Sequence, residues 1–212
     1  MRSEPRVAAI MLTKAGREKW ADQARHAFYA QTYGNGRLCE VEGVGTIGDK
    51  RNAAIYDAKD AEIIVHWDDD DIYHPERIAQ QVKMLKDHPE AAIVGYHSME
   101  FWNVDSGARH MYVGREGYAI GVSLCYWRSA WESRKFEPVN EGEDNAFQVG
   151  RRVLTVPANN MIVARIHAGN TSVKYPERNP AQWKDGGYQP AFAMTEYQRQ
   201  NPPRGGSGVP NS

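Results

Sequence analysis

Cysteine, net charge and long apolar runs are all scarce in this chain, and each shortage narrows what it can be. Its 212 residues include two cysteines, Cys39 and Cys125, far apart and each in an apolar context. They make neither a disulfide framework nor a metal-ligand spacing, and they fit a reducing compartment. The formal net charge is -1, from 26 Lys and Arg against 27 Asp and Glu. A general polyanion binder would be strongly basic, so nucleic acid is not an expected partner. No apolar stretch approaches the roughly 18 residues of a transmembrane helix. The start, Met1-Arg2-Ser3-Glu4-Pro5-Arg6, leads into a run too short for a signal peptide. A soluble, cytoplasmic protein is expected. No segment repeats, and the length suits one α/β domain with a real core, or at most two small ones.

What is present centres on Ile63-Ile64-Val65-His66-Trp67-Asp68-Asp69-Asp70-Asp71. The apolar part is continuous and rich in β-branched residues, which predicts a buried strand of a parallel sheet. The four carboxylates follow where that strand leaves the sheet, and ligands of open α/β sheets bind outside the carboxyl ends of the strands. Adjacent negative charges repel, so the run needs water, basic neighbours or a cation. Hard divalent ions such as Mg²⁺ and Mn²⁺ prefer oxygen ligands. In an extended chain Asp68 and Asp70 point one way and Asp69 and Asp71 the other, which offers an Asp-x-Asp pair to a metal carrying a phosphorylated ligand. The same run also reads as a solvated acidic loop capping the next helix.

Val7 to Leu12 predicts the first strand, and Thr13-Lys14-Ala15-Gly16-Arg17 a loop. Trp20, Ala24, Ala27, Phe28 and Gln31 then fall at helical spacing, until Tyr33-Gly34-Asn35-Gly36 stops the helix. Arg37 to Glu42 predicts a second strand. Gly43 to Gly48 is a flexible loop entering a helix that carries Lys50, Arg51 and Asn52. Such a glycine loop lets backbone amides approach phosphate, and it also reads as a plain strand-helix connection. After the third strand, Ala61 to Trp67, Pro75 is expected in the first turn of a helix whose inner face is Ile78, Val82 and Leu85. Ala91 to Val94 is a fourth strand. This alternation implies a parallel sheet covered on both faces.

After Gly95 the character changes. Ser98 to Val104 and Arg109 to Val113 flank a turn sequence and predict a hairpin. Ala119 to Trp127 predicts a strand, Arg128 to Ser133 a helical turn, and Glu143-Asp144 the acidic start of another helix. Arg152 to Val156 and Met161 to Ile166 predict two more strands, the second ending at His167. From Ala168 the chain is polar with little periodicity. Residues 201–212 hold no core former, and a flexible tail is expected there.

In this order the motifs resemble the family-2 glycosyltransferases of the GT-A fold. Gly48-Asp49-Lys50-Arg51-Asn52 is similar to their Gly-x-x-Arg-Asn helix start, and Trp67 to Asp71 with Pro75 to their Asp-x-Asp-Asp segment. Gly121-Val122-Ser123 is placed like their central glycine loop, Glu143-Asp144 like their catalytic Glu-Asp pair, and His167 like their C-terminal metal histidine. The resemblance covers roughly residues 6 to 170. It departs after the second strand, where the family usually carries aspartates for the nucleotide base and this chain offers Glu40 and Glu42. It also departs at Leu12-Thr13-Lys14-Ala15-Gly16-Arg17, which replaces Pro-Thr-Tyr-Asn-Arg.

The resemblance implies an α/β fold, a GT-A-like three-layer α/β/α sandwich with a mostly parallel sheet and a small antiparallel addition in its second half. It implies a single domain over residues 1–200, with a nucleotide-sugar half to about residue 96 and an acceptor half over about 97–200. The implied donor is a nucleoside-diphosphate sugar, a UDP-sugar first, and the acceptor a glycan or other hydroxyl. A divalent metal, Mn²⁺ or Mg²⁺, would sit on Asp70 and Asp68 with His167. Thr13, Arg17, Glu42, Arg51, Asp68 and Asp69 would bind the donor. Asp144, then Glu143, would be the base of an inverting transfer. Two other readings compete. A sugar-phosphate nucleotidyltransferase on a related fold would want a glycine-rich basic signature after the first strand, where Thr13 to Arg17 has one glycine. A carbohydrate- or cation-binding module would use the acidic run without Asp144.

Overall fold

The computed structural model describes residues 4–171 and 181–185, so the expected tail lies outside the described residues. Ten strands form one sheet: β1 (Val7–Thr13), β2 (Gly36–Glu42), β3 (Ile63–Asp68), β4 (Ile72–Tyr73), β5 (Ile93–Asn103), β6 (Arg109–Val113), β7 (Cys125–Trp127), β8 (Val153–Pro157), β9 (Ile162–Ile166) and β10 (Trp183–Asp185). The helices are α1 (Glu18–Tyr29), α2 (Ile47–Asp57), α3 (Arg77–Asp87), α4 (Arg128–Ser133) and α5 (Glu143–Gln148).

The sheet is covered on both faces, which is why its inner strands read as unbroken apolar runs. Val7, Ala9 and Met11 of β1 join one core with Ala21, Ala24 and Phe28 of α1 and Ile78, Val82 and Leu85 of α3. Ala8 and Ile10 join the other core with Ala54 and Ile55 of α2, Trp131 of α4 and Phe147 of α5. The three-layer α/β/α arrangement follows from that division. Each helix has its local reason. In α1 the buried residues recur at helical spacing and Glu18 lies in the first turn, where the dipole favours an acid. In α2 the Thr46 hydroxyl accepts from Asp49 N at 3.1 Å while the Asp49 carboxylate accepts from Thr46 N at 3.1 Å, a reciprocal cap that satisfies two otherwise free amides.

The strand order is β2-β1-β3-β7-β5-β6-β10. The long ladders of β1 with β2 and β3, and of β5 with β8 and β9, are parallel. The parallel order expected from the alternation is interrupted in the middle: β7 lies between β3 and β5 and is antiparallel to both. Only Cys125 to Trp127 of the predicted strand Ala119 to Trp127 joins the ladder, because Gly121–Ser123 forms a 3₁₀ turn. There the Ser123 hydroxyl accepts from Tyr96 N at 2.8 Å and donates to Ile120 O at 2.7 Å, replacing ladder bonds with local ones.

The predicted strands Ala91 to Val94 and Ser98 to Val104 are one strand, β5. Its first half lies between β7 and β8 and its second half between β6 and β9. It crosses the middle as one strand, with a shift of register against β8 between Tyr96 and Ser98. The short strands β4 and β10 carry too few residues to show a period. Pro75 lies ahead of α3 rather than in its first turn, since the His74 ring accepts from Glu76 N and holds a separate turn.

Arg77 fixes the centre of this layout. It is fully buried, with its guanidinium over the rings of Trp67 and Tyr73, 5.2 and 4.9 Å from their centroids. Its Nη2 donates to His66 O and Val122 O, both at 2.8 Å, which ties the end of β3 to the 3₁₀ turn.

Candidate active site

Five segments converge beyond the carboxyl end of β3: the loop from Thr13 to Arg17, the start of α2, the acidic turn, the Gly121 turn with the start of α5, and the end of β9 with the chain leaving it. They enclose a cleft of about 650 Å³, within the range of ligand sites. Of the positions expected from the sequence, Thr13, Arg17, Arg51, Asp68, Asp69, Asp70, Glu143 and Asp144 line it. Glu42 does not: it pairs with Thr13 at the last rung of β1 and β2 and is exposed. His167 lies behind the lining, against Asp70.

The acidic run does not alternate as an extended chain would. Asp69 and Asp70 form a turn, which carries Asp71 round to the side of Asp68 and Asp70. Oxygens of these three carboxylates lie within 4.8 Å of one another. Asp69 points elsewhere, to the Thr13 hydroxyl and the Arg17 guanidinium. Asp71 Oδ1 accepts from Arg165 N at 2.9 Å, and Arg165 Nη1 donates to Asp70 O at 3.0 Å.

Asp70 is the most heavily bonded of the four. Its Oδ2 accepts from Arg17 Nη2 at 2.7 Å, His167 Nε2 at 2.9 Å and Asn170 Nδ2 at 3.1 Å. The His167 ring stacks on Trp20 with centroids 5.1 Å apart. Its Nδ1 accepts from Gly169 N at 3.1 Å, so Nε2 carries the hydrogen that faces Asp70. That nitrogen would have to give up its hydrogen to bind a cation directly.

Burial and mutual repulsion dominate the electrostatics of the turn. Burial pushes the Asp69 carboxyl up to about 6, against the pull of Arg17. Burial also raises Asp68, opposed chiefly by Arg51. Asp71 is pushed well up by burial and by the charges of Asp70 and Asp68. Asp70 goes the other way: burial alone would raise it, but the His167 hydrogen bond and the Arg17 charge outweigh burial and hold it below the usual range. The turn is thus short of positive charge. Asp69 Oδ2 is buried with no hydrogen-bond donor. An oxygen donor set of three close carboxylates, with this under-satisfied one beside it, suits a hard divalent cation.

On the opposite rim Glu143 and Asp144 begin α5, after Gly142 at φ +80°. Glu143 is buried and lies 3.0 Å from Arg51 Nη1, so its carboxylate is committed to an ion pair. Burial still raises its pKa, with Arg51 opposing. Asp144 is half-buried and accepts from Asn145 N at 2.8 Å. It rests on Gly121, where any Cβ would come within 2.2 Å of Asp144 Oδ2. The glycine is needed for this close approach, not for an unusual backbone angle.

The sequence reading missed Asn170, Trp20, Lys14 and Arg165. Asn170 had a local signal, since His167-Ala168-Gly169-Asn170 has turn chemistry at a strand end. Its side chain accepts from His167 N at 2.7 Å and so shapes that turn. Trp20 was visible only as a helix position.

The sheet order and the helices on both its faces make an α/β fold, GT-A-like in architecture. Solved structures of S. aureus TarS share it. TarS 1–349 in complex with UDP-GlcNAc superposes with a TM-score of 0.62 at 16% identity, covering 82% of this chain and 63% of that one. TarS 1–349 in complex with UDP gives 0.58 at 14%, covering 76% and 60%. The longer TarS structure gives 0.59 at 13%, covering 76% and 37%. The chain therefore spans less than two thirds of the TarS chains it matches. No protein-family model matches it, and no curated protein sequence does.

Proposed function

We propose that this protein is a metal-dependent glycosyltransferase that moves a sugar from a nucleoside-diphosphate sugar, a UDP-sugar first, to an acceptor hydroxyl with inversion. The observation that carries the reading is one cleft with a cation-hungry acidic turn on one rim and a half-buried aspartate on the other. The likeness to a fold seen with UDP and UDP-GlcNAc supports the choice of donor.

In this reading Asp70 and Asp68 hold a divalent ion, with Asp71 beside them, and His167 keeps Asp70 aimed through its Nε2–H. The ion would neutralise charge on the departing diphosphate. Thr13 and Arg17 flank the donor phosphates, and Arg51 keeps Asp68 and Glu143 from repelling each other across the cleft. Asp144 accepts the acceptor O–H proton as that oxygen attacks the anomeric carbon. The bond to the diphosphate oxygen breaks and carries its electron pair away. Glu143 is less suited to that step, because Arg51 already holds its carboxylate. Glu42, outside the cleft rim, keeps the base-recognition role only if the nucleoside extends along the end of β2.

Calorimetric titration of UDP tests the reading. UDP should bind with Mn²⁺ present, lose affinity in EDTA, and lose it again in Asp70→Asn. A folded protein that binds no nucleotide with Mn²⁺ present removes the transferase assignment.

A further inference from the structure

Arg17 stands where a cation belongs. Its guanidinium bridges two carboxylates of the acidic turn, Asp69 through Nη1 and Asp70 through Nη2 at 2.7 Å. Nη2 also donates to Gly169 O at 2.9 Å. With His167 and Asn170 on the same atom, Asp70 Oδ2 already accepts three N–H donors. Both lone pairs of that oxygen are engaged, so a metal that binds it has to displace one of the three donors. Yet Arg17 does not complete the turn, because Asp69 Oδ2 stays buried without a donor. Asp68, Asp70 and Asp71 also keep their oxygens within 4.8 Å of one another. The site is charge-compensated but not saturated.

Arg17 is built to leave. It sits at the cap of α1 after Gly16, held by its backbone N to Lys14 O at 3.2 Å. Its long side chain reaches the aspartates through rotatable bonds, so it can withdraw with no change in the helix. It faces the same cleft as the donor site. Its planar fork matches phosphate oxygens as well as it matches carboxylates.

We infer that Arg17 is a displaceable internal counter-cation: it occupies Asp70 Oδ2 in the unloaded protein, yields that oxygen to a divalent ion, and then turns its guanidinium to a phosphate oxygen of the nucleoside diphosphate. This rests on the metal-dependent reading above. It makes Arg17 a competitor of the metal and a helper of the nucleotide, two opposite signs for one residue.

The test measures Mn²⁺ binding without nucleotide, by the electron paramagnetic resonance of free Mn²⁺, in wild type, Arg17→Gln, Arg17→Lys and Asp70→Asn. Arg17→Gln should bind Mn²⁺ on the order of tenfold tighter than wild type, since removing a competing charge in a partly buried site has an effect of that size. Arg17→Lys keeps the charge without the fork and should fall between, which keeps the test valid if Arg17→Gln fails to fold. At saturating Mn²⁺, both variants should then bind UDP more weakly than wild type. Equal or weaker Mn²⁺ binding in the Arg17 variants, with binding still lost in Asp70→Asn, overturns the counter-cation role and leaves the metal site standing. Mn²⁺ binding by none of the proteins overturns both. Tighter Mn²⁺ with unchanged UDP affinity overturns the hand-over to phosphate.

Discussion

The two acidic rims of the cleft are built on opposite principles. The acidic turn is held by polar bonds from distant segments: Arg17, His167, Asn170 and Arg165 all reach it, and their removal would leave carboxylates unpaired. The Glu143–Asp144 rim is held by shape. Asp144 is seated on a glycine that leaves no room for a side chain, and Glu143 is fixed by one buried arginine. On the proposed reading the turn would exchange partners when a ligand arrives, and hydrogen bonds exchange readily. A base that must meet a hydroxyl at one distance gains from a rigid seat.

This contrast can be broken at three points. The largest effect should come from Asp144→Asn: on the proposed reading, turnover of a UDP-sugar, read as UDP release, should fall roughly 10³-fold, a common loss for a general base. Mn²⁺-dependent UDP binding should stay as in wild type, because nothing on the acidic turn depends on Asp144. Equal turnover would remove Asp144 as the base.

Next is Arg51→Met, which leaves Glu143 buried without its partner. It should cost about 3 kcal/mol of stability, as broken buried pairs do. The cost should also depend on pH. Burial raises the Glu143 pKa in the folded protein, so the folded state takes up a proton more readily than the unfolded chain. The stability linked to that proton is present below the unfolded value, about 4.3, and is lost as pH rises through the folded one. Without Arg51 the folded value rises further. The melting-temperature deficit against wild type should therefore be wide at pH 8 and narrower at pH 5. A deficit that is constant with pH would mean that Glu143 does not carry it.

The smallest effect is expected from Gly121→Ala. The added methyl pushes Asp144 off its seat, and turnover should drop roughly 10²-fold, the scale of a small misplacement. Metal and UDP affinity should hold. If UDP affinity fell instead, the two rims would not be independent.

Much of this was legible in the sequence because it is local. The unbroken run Ile63 to Trp67 marks a strand buried on both faces, and four aspartates after it mark a site. Ile78, Val82 and Leu85 show the inner face of α3 by their spacing. What escaped was non-local or too short. Nothing in Ala119 to Trp127 says that a serine hydroxyl will bend the run into a turn, or that its remnant will slip between β3 and β5. The alternation of the aspartates held through Asp70 and failed at Asp71, because a tight turn follows the strand and strand periodicity ends where the ladder ends. Arg51 looked like a phosphate ligand from its place after a glycine loop. Its pairing with Glu143, 92 positions on by their numbers, exists only in three dimensions.

The long strand β5 has a mechanical consequence. It is stitched to β7 and β8 through its first half and to β6 and β9 through its second. Only the β8 ladder crosses residue 96, and its register shifts between Tyr96 and Ser98, while the β7 ladder ends before that point and the β6 and β9 ladders begin after it. The strand links the two halves of the sheet, and the rim that carries His167 is joined to it through β9. Bending of one half of the sheet against the other would therefore meet its least resistance at that register shift, where a single neighbouring strand holds β5.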